Sequence, residues 1–185
     1  MSRLDFKPTA IPDVVEIAPH VIEDPRGFFM ESWNARSFAA GGIDTSFVQD
    51  NHSRSMRGIL RGLHYQVGHA QGKLVRVVRG EVFDVAVDLR RSSATFGQWV
   101  GVRLSAEKHN MLWVPPGFAH GFYVTSEVAD LLYKCTDFYS PTDDRTLRWD
   151  DPDVGVRWPL IAGQPPQVST KDAAGMGFRD AETFA

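Results

Sequence analysis

Residues 73–90 read KLVRVVRGEVFDVAVDLR, and few stretches restrict a fold more. In the second half, Phe83, Val85, Val87 and Leu89 alternate with Asp84, Ala86 and Asp88. Successive side chains of a strand point to opposite faces, so this period of two places the two sets on different sides of a sheet. The Arg79-Gly80 break supplies a turn between two strands. WVGVRL, LWV, GFYV and DLLYK follow, separated by Gly, Pro or polar residues. Short strands with turn signals about every ten residues predict an all-β sandwich or barrel.

Helical signals are few. Asn34 is placed to cap a short helix through Arg36 to Ala40, ended by Gly41-Gly42. Ser169-Thr170-Lys171-Asp172 has the form of a capping box before a second short helix. Residues 159–167, PLIAGQPPQ, read as an extended connection to that helix. The 185 residues suffice for one domain with a sizeable core, so residues 1–185 are expected to form a single domain.

Composition excludes several classes. Hydrophobic residues at 43% and charged residues at 23% are ordinary for a soluble globular protein. A net charge of −3 argues against a nucleic-acid partner, which calls for a basic surface. Cys135 is the sole cysteine, which forbids an intrachain disulfide and fits a reducing compartment. The first residues, MSRLDFKPTAIPDVVEI, lack the apolar core of a signal peptide, and no segment has the apolar length of a membrane helix. A cytoplasmic protein without membrane contact is the expectation.

Chemistry concentrates in three stretches. In RGILRGLHYQVGHAQGK (57–73), Arg57, Arg61 and His64 are interleaved with Ile59, Leu60 and Leu63. Alternation puts His64 and Gln66 on one face, with Leu63 and Tyr65 on the other. A histidine satisfied by a neighbour inside the core is the alternative to a functional one. VPPGFAHGF (114–122) resembles the second motif of the cupin superfamily, a small jelly-roll barrel. Metal cupins carry a His-x-His pair in the first motif, where this chain has His64-Tyr65-Gln66. His64 and His120 alone make a poor ligand set, so no metal is expected. In the third stretch, residues 131–159, Tyr133 lies within a strand and Tyr139 just past it; both could simply pack at a barrel mouth.

The motifs RGFFME (26–31), FVQDNHS (47–53), RGLHYQ (61–66), QGKLVRVVRGEVFDVAVDLR (71–90), FGQWV (96–100), VPPGFAHGF (114–122), YKCTDFYSP (133–141), RWDDP (148–152) and STKD (169–172) occur in this order. Together they resemble the dTDP-4-dehydrorhamnose 3,5-epimerase family, over nearly the whole chain. The resemblance implies a cupin-like jelly-roll with a few short peripheral helices. It implies cofactor-free epimerisation at C3 and C5 of a dTDP-linked 4-keto-6-deoxyhexose, and a homodimer with an exchanged N-terminal segment. It also implies roles. His64 is the base, Asp172 its carboxylate partner, Lys73 the cation near the developing enolate, and Tyr133 the acid on the opposite face. Arg26, Glu31, the Gln49-Asp50-Asn51 segment, Arg61, His120, Asp144 and Lys171 bind substrate, and Tyr139 stacks on the thymine ring.

Each residue has a plainer reading beside this one. Asp172 suits helix capping, Lys73 an exposed strand end, Cys135 a small core position and Arg57 the surface. His69, in the loop before Lys73, reads as structural. Simple alternation sets Arg61 opposite His64, and a bulge or bend at Gly62 would bring both to one site. The chain also departs from the family. HYQVGHAQGK is one residue shorter than the usual spacing, and Asp144 stands where glutamate is usual. A relative that inverts one carbon, a 3,4-ketoisomerase, a nucleotide-sugar-binding cupin without catalysis and a metal-dependent cupin oxygenase are the competing readings.

Overall fold

The computed structural model describes residues 4–185. In chain order the elements are β1 (Leu4–Pro8), β2 (Val15–Pro19), β3 (Val21–Asp24), β4 (Gly27–Met30), α1 (Ala35–Ala40), β5 (Gln49–Met56), β6 (Leu60–Gln66), β7 (Lys73–Arg79), β8 (Glu81–Asp88), β9 (Trp99–Ser105), β10 (Met111–Val114), β11 (Phe118–Val124), β12 (Val128–Cys135), β13 (Asp144–Thr146) and α2 (Thr170–Ala173). A six-stranded sheet runs β1-β2-β10-β7-β12-β5, a five-stranded sheet runs β13-β6-β11-β8-β9, and β3 and β4 form a separate hairpin. The pairings of these strands are antiparallel.

The Arg79-Gly80 turn carries the chain from one sheet to the other, since β7 and β8 belong to different sheets. Gly80 has φ +76°, and a Cβ there would lie 2.0 Å from the Val128 carbonyl oxygen. Only glycine fits a corner this tight. The two sheets close over Val75, Val77, Val82, Ala86, Leu104, Leu112, Phe122 and Leu131, drawn from β7 to β12.

Both outer faces are covered in part. Helix α1, capped by Asn34 through the Arg36 and Ser37 N–H groups, packs Phe38 with Leu74, Met111 and Trp113 on the six-stranded sheet. On the five-stranded sheet Val85, Val87 and Leu89 meet Val154, Ala181, Trp158 and Phe178 from the C-terminal segment. The β8 alternation therefore buries both of its faces. The apolar set lies beneath the C-terminal segment, while Ala86 lies between the sheets with Asp84 and Asp88 in register on its face.

Candidate active site

Strand β6 cannot be regular. Its pairing with β11 matches His64 to His120 and Arg61 to Phe122, so Gly62 and Leu63 together oppose Gly121. This bulge lies at Gly62, with φ +133°. A Cβ on Gly62 would come within 2.6 Å of the Gly121 Cα and 3.0 Å of the His120 carbonyl oxygen, so the strands need two facing glycines to approach. Slipping the alternation by one residue turns Arg61 and His64 to the same side. Both line one cavity between the sheets.

Two adjoining cavities open there. The outer one, about 330 Å³, is lined by Gln49, Asn51, His64, Gln66, Lys73, Tyr133, Tyr139, Asp144 and Lys171, with Tyr65 and Gln71. The inner one, about 170 Å³, is lined by Ser53, Arg61, His64, Lys73, His120 and Tyr133, with apolar walls. His64, Lys73 and Tyr133 border both. His64 comes from the five-stranded sheet, whereas Lys73 and Tyr133 come from the six-stranded one. A molecule between them meets an imidazole on one side and a phenol on the other.

His64 Nε2 lies 2.5 Å from Asp172 Oδ1. An ionised carboxylate only accepts, so Nε2 carries the hydrogen and Nδ1 keeps the basic lone pair. Asp172 reaches this position from the first turn of α2. Ser169 caps the helix by accepting from the Asp172 N–H at 3.1 Å. The carboxylate goes to His64, where a capping box would turn it back to the helix start. Burial pushes the Asp172 carboxyl up, but the hydrogen bond and charge of His64 and donors from Ser169 and Gly62 outweigh it. Its pKa lies below the ordinary value, and the pair holds a carboxylate against the imidazole.

Lys73 is buried at 9% exposure and donates to the His64 carbonyl oxygen at 3.5 Å. Burial lowers its pKa, against the pull of Cys135, Asp144 and Asp84. Burial raises the Tyr133 phenol, which keeps it protonated and able to donate. Cys135 is fully buried and accepts from Asn51 Nδ2 at 3.5 Å. His120 is buried and bonds Asp84 Oδ1 at 2.8 Å through Nε2, while Arg61 donates to Ser55 Oγ at 2.8 Å.

The outer mouth is polar and more exposed. Tyr139, 55% exposed, donates its hydroxyl to Asp144 Oδ2 at 2.9 Å, and Lys171 closes on the same oxygen. Gln49 Oε1 accepts the Tyr139 N–H at 3.0 Å. Among the described residues, no group of three or more His, Cys, Asp or Glu could hold a metal ion.

Three expected site residues lie elsewhere. Strand alternation sends the Asp50 side chain to the other face of β5, where it pairs with Lys134 at 3.0 Å; Gln49 and Asn51 point into the outer cavity. Arg26 sits at the tip of the β3–β4 hairpin, with an 89% exposed side chain bonded to Asp24. Glu31 follows that hairpin and accepts from Asn34 and Ser37, both at 3.0 Å. Neither borders the His64 cavities. Conversely, Gln66 lines the outer cavity without being among the expected site residues. Its amide accepts from Ser140 N–H and donates to His69 and Phe138 carbonyls, fastening both loops at the mouth. Its place two residues after His64, on the same face, is the signal that could have found it.

The description dTDP-4-dehydrorhamnose 3,5-epimerase belongs to the family model that matches residues 8–180. A curated protein of that name from Pseudomonas aeruginosa is 60% identical over 176 residues, covering 95% of this chain and 96% of its own. A crystal structure of dTDP-6-deoxy-D-glucose-3,5-epimerase from Legionella pneumophila, in complex with dTDP-4-keto-L-rhamnose, superposes with TM-score 0.94 at 50% identity, covering 97% of this chain and 95% of that one. The dTDP-4-dehydrorhamnose 3,5-epimerase of Elizabethkingia anophelis superposes with TM-score 0.90 at 44% identity, over 96% and 97% of the two chains.

Proposed function

The chain belongs to the dTDP-4-dehydrorhamnose 3,5-epimerase family, and from that premise we propose how its cavity inverts carbons 3 and 5 of a dTDP-linked 4-keto-6-deoxyhexose. A carbon beside a ketone yields a proton because the charge left behind spreads onto the ketone oxygen as an enolate. Both carbons flank the same 4-keto group, so one arrangement serves both. His64 Nδ1 takes the proton from one face, and Asp172 stabilises the imidazolium that forms. Lys73 stabilises the enolate oxygen; a preorganised donor in such a site contributes several kcal/mol, roughly. Tyr133 returns a proton from the other face. No cofactor takes part in this scheme.

The carrying observation is that an Asp172-paired imidazole and a half-buried phenol border the same cavity from opposite sheets. Tyr139, Asp144, Lys171, Gln49 and Asn51 at the mouth are read as nucleotide contacts. Tyr139 offers a flat face to the thymine, and Lys171 an amine to the diphosphate. Arg61 and His120 are read as contacts deeper in.

Arg26 and Glu31 complete this reading through a second copy of the chain. The β3–β4 hairpin exposes Ile22, Phe28 and Phe29 at 54%, 58% and 71%. An apolar arm of this kind supports an exchanged segment that carries Arg26 and Glu31 to the partner's cavity in a homodimer. We read residues 1–185 as one domain, working in the cytoplasm. Among the described residues no helix is long and apolar enough to cross a membrane.

Incubation with dTDP-4-keto-6-deoxyglucose in D₂O tests the scheme. Deuterium is expected at both carbons. Label at one carbon alone would instead mark a single-carbon epimerase, and label at neither would remove the epimerase reading.

A further inference from the structure

Two inversions by one base and one acid create a problem that the inner cavity can solve. In the first inversion a C–H bond breaks and its proton goes to His64. A new C–H bond forms with the proton of the Tyr133 hydroxyl. His64 is left as imidazolium and Tyr133 as phenolate. Before the second carbon can react, one proton must pass from His64 to Tyr133, with no change in total charge and no other reagent. A nucleotide sugar whose nucleotide fills the outer cavity, with only the inner edge of its ring reaching toward Arg61 and His120, would close the route through the mouth.

Behind the sugar, the inner cavity touches both groups. At about 170 Å³ it has room for several waters, each taking about 30 Å³. Its remaining polar wall is Ser53, Arg61, Lys73 and His120. His120 stands directly across from His64 in the strand pairing, and Asp84, fully buried, fixes its ring through Nε2. By the tautomer argument used for His64, this leaves His120 Nδ1 able to accept a proton. Ser53 Oγ and Asp84 Oδ2 are buried without a protein hydrogen-bond partner. Such groups in native proteins are served by internal water.

We propose that the inner cavity, with His120 held in place by Asp84, is the path along which a proton returns from His64 to Tyr133 between the two inversions. The proposal rests on the double-inversion reading above. His120 is then a relay in addition to any contact with substrate, and Asp84 is a positioning residue that acts through it.

The test follows deuterium entry at each carbon of dTDP-4-keto-6-deoxyglucose under single-turnover conditions, for wild type, His120→Asn and Ser53→Val. The readout is the ratio of the second exchange rate to the first. A loss of packing or of substrate affinity slows both carbons together and leaves the ratio alone. Loss of the relay lowers the ratio by about tenfold or more in His120→Asn, less in Ser53→Val, and releases singly inverted sugar. If His120→Asn does not fold, Ser53→Val decides by itself. An unchanged ratio in either folded variant overturns the relay while the epimerase reading stands. Wild-type exchange at only one carbon overturns the double-inversion reading, and the relay with it.

Discussion

His64–Asp172 and His120–Asp84 face each other across one strand pairing, yet they are held by different means. The first joins residues 108 apart in the chain, from a strand to a peripheral helix; the second joins neighbouring strands at a separation of 36. The His64 side chain is 33% exposed, whereas that of His120 is 8% exposed and Asp84 is wholly buried. The pull of His64, Ser169 and Gly62 holds the Asp172 carboxyl below its ordinary value, while Asp84 leaves one oxygen without a protein partner. The outer pair is an accessible imidazole with a well-supplied carboxylate, fit to meet a substrate carbon. The inner pair is enclosed and incompletely served, fit to meet water. The same two residue types sit in different surroundings, and the environment of a carboxylate sets what its histidine can do.

Removing the outer pair should have the largest effect. His64→Ala is expected to lower turnover at least ~10²-fold, while affinity for dTDP, read by calorimetry, changes far less. Asp172→Asn should fall in the same class, because an amide can hold the ring in the wrong tautomer; turnover near that of wild type would remove Asp172 from the mechanism. Gly62→Ala strikes both pairs at once, since its new methyl meets Gly121 Cα and the His120 carbonyl. It should cost about 1–3 kcal/mol in stability, measured by denaturant unfolding.

Strand β8 supplies a control within a single face. Asp84 and Asp88 share that face, but Asp88 accepts from Arg90, Ser93 and Thr95. Burial alone would raise its pKa, and these donors bring it down to about 2. A carboxyl with a depressed folded pKa contributes stability above its unfolded value near 4, and loses it as pH falls toward about 2. Asp88→Asn should therefore lower stability by about 2 kcal/mol at pH 7, with the difference closing as pH falls toward the folded value. A difference that persists in acid would assign the effect to packing. The smallest change is expected at the mouth. Tyr139→Phe keeps the ring and loses an exposed bond to Asp144, so stability should stay within about 0.5 kcal/mol, by thermal melting.

What the sequence revealed depended on how local the cause was. The β8 alternation, the Asn34 and Ser169 caps and the Arg79-Gly80 turn act over a few residues, and all are present as expected. The expected bend at Gly62 is present as a bulge. Other features were not local. Nothing near residue 80 says that its turn changes sheets, and nothing near Asp84 announces His120. Local reading of STKD favours capping, and the structure shows both uses at once: the Asp172 N–H serves the cap and its carboxylate serves His64. The motif groups Asp50 with its neighbours, although alternation alone turns it to the other face. Arg26 and Glu31 lie away from the His64 cavities within one chain, and only the proposed second copy gives them a cavity to enter.

The distance along the chain between His64 and Asp172 also imposes an order in time. A ribosome makes the imidazole more than a hundred residues before the carboxylate that orients it. The strands that bear His64, Lys73 and Tyr133 can be complete while α2 is still unmade. The growing polypeptide thus carries three of the four proposed catalytic groups before the fourth, Asp172, has been made.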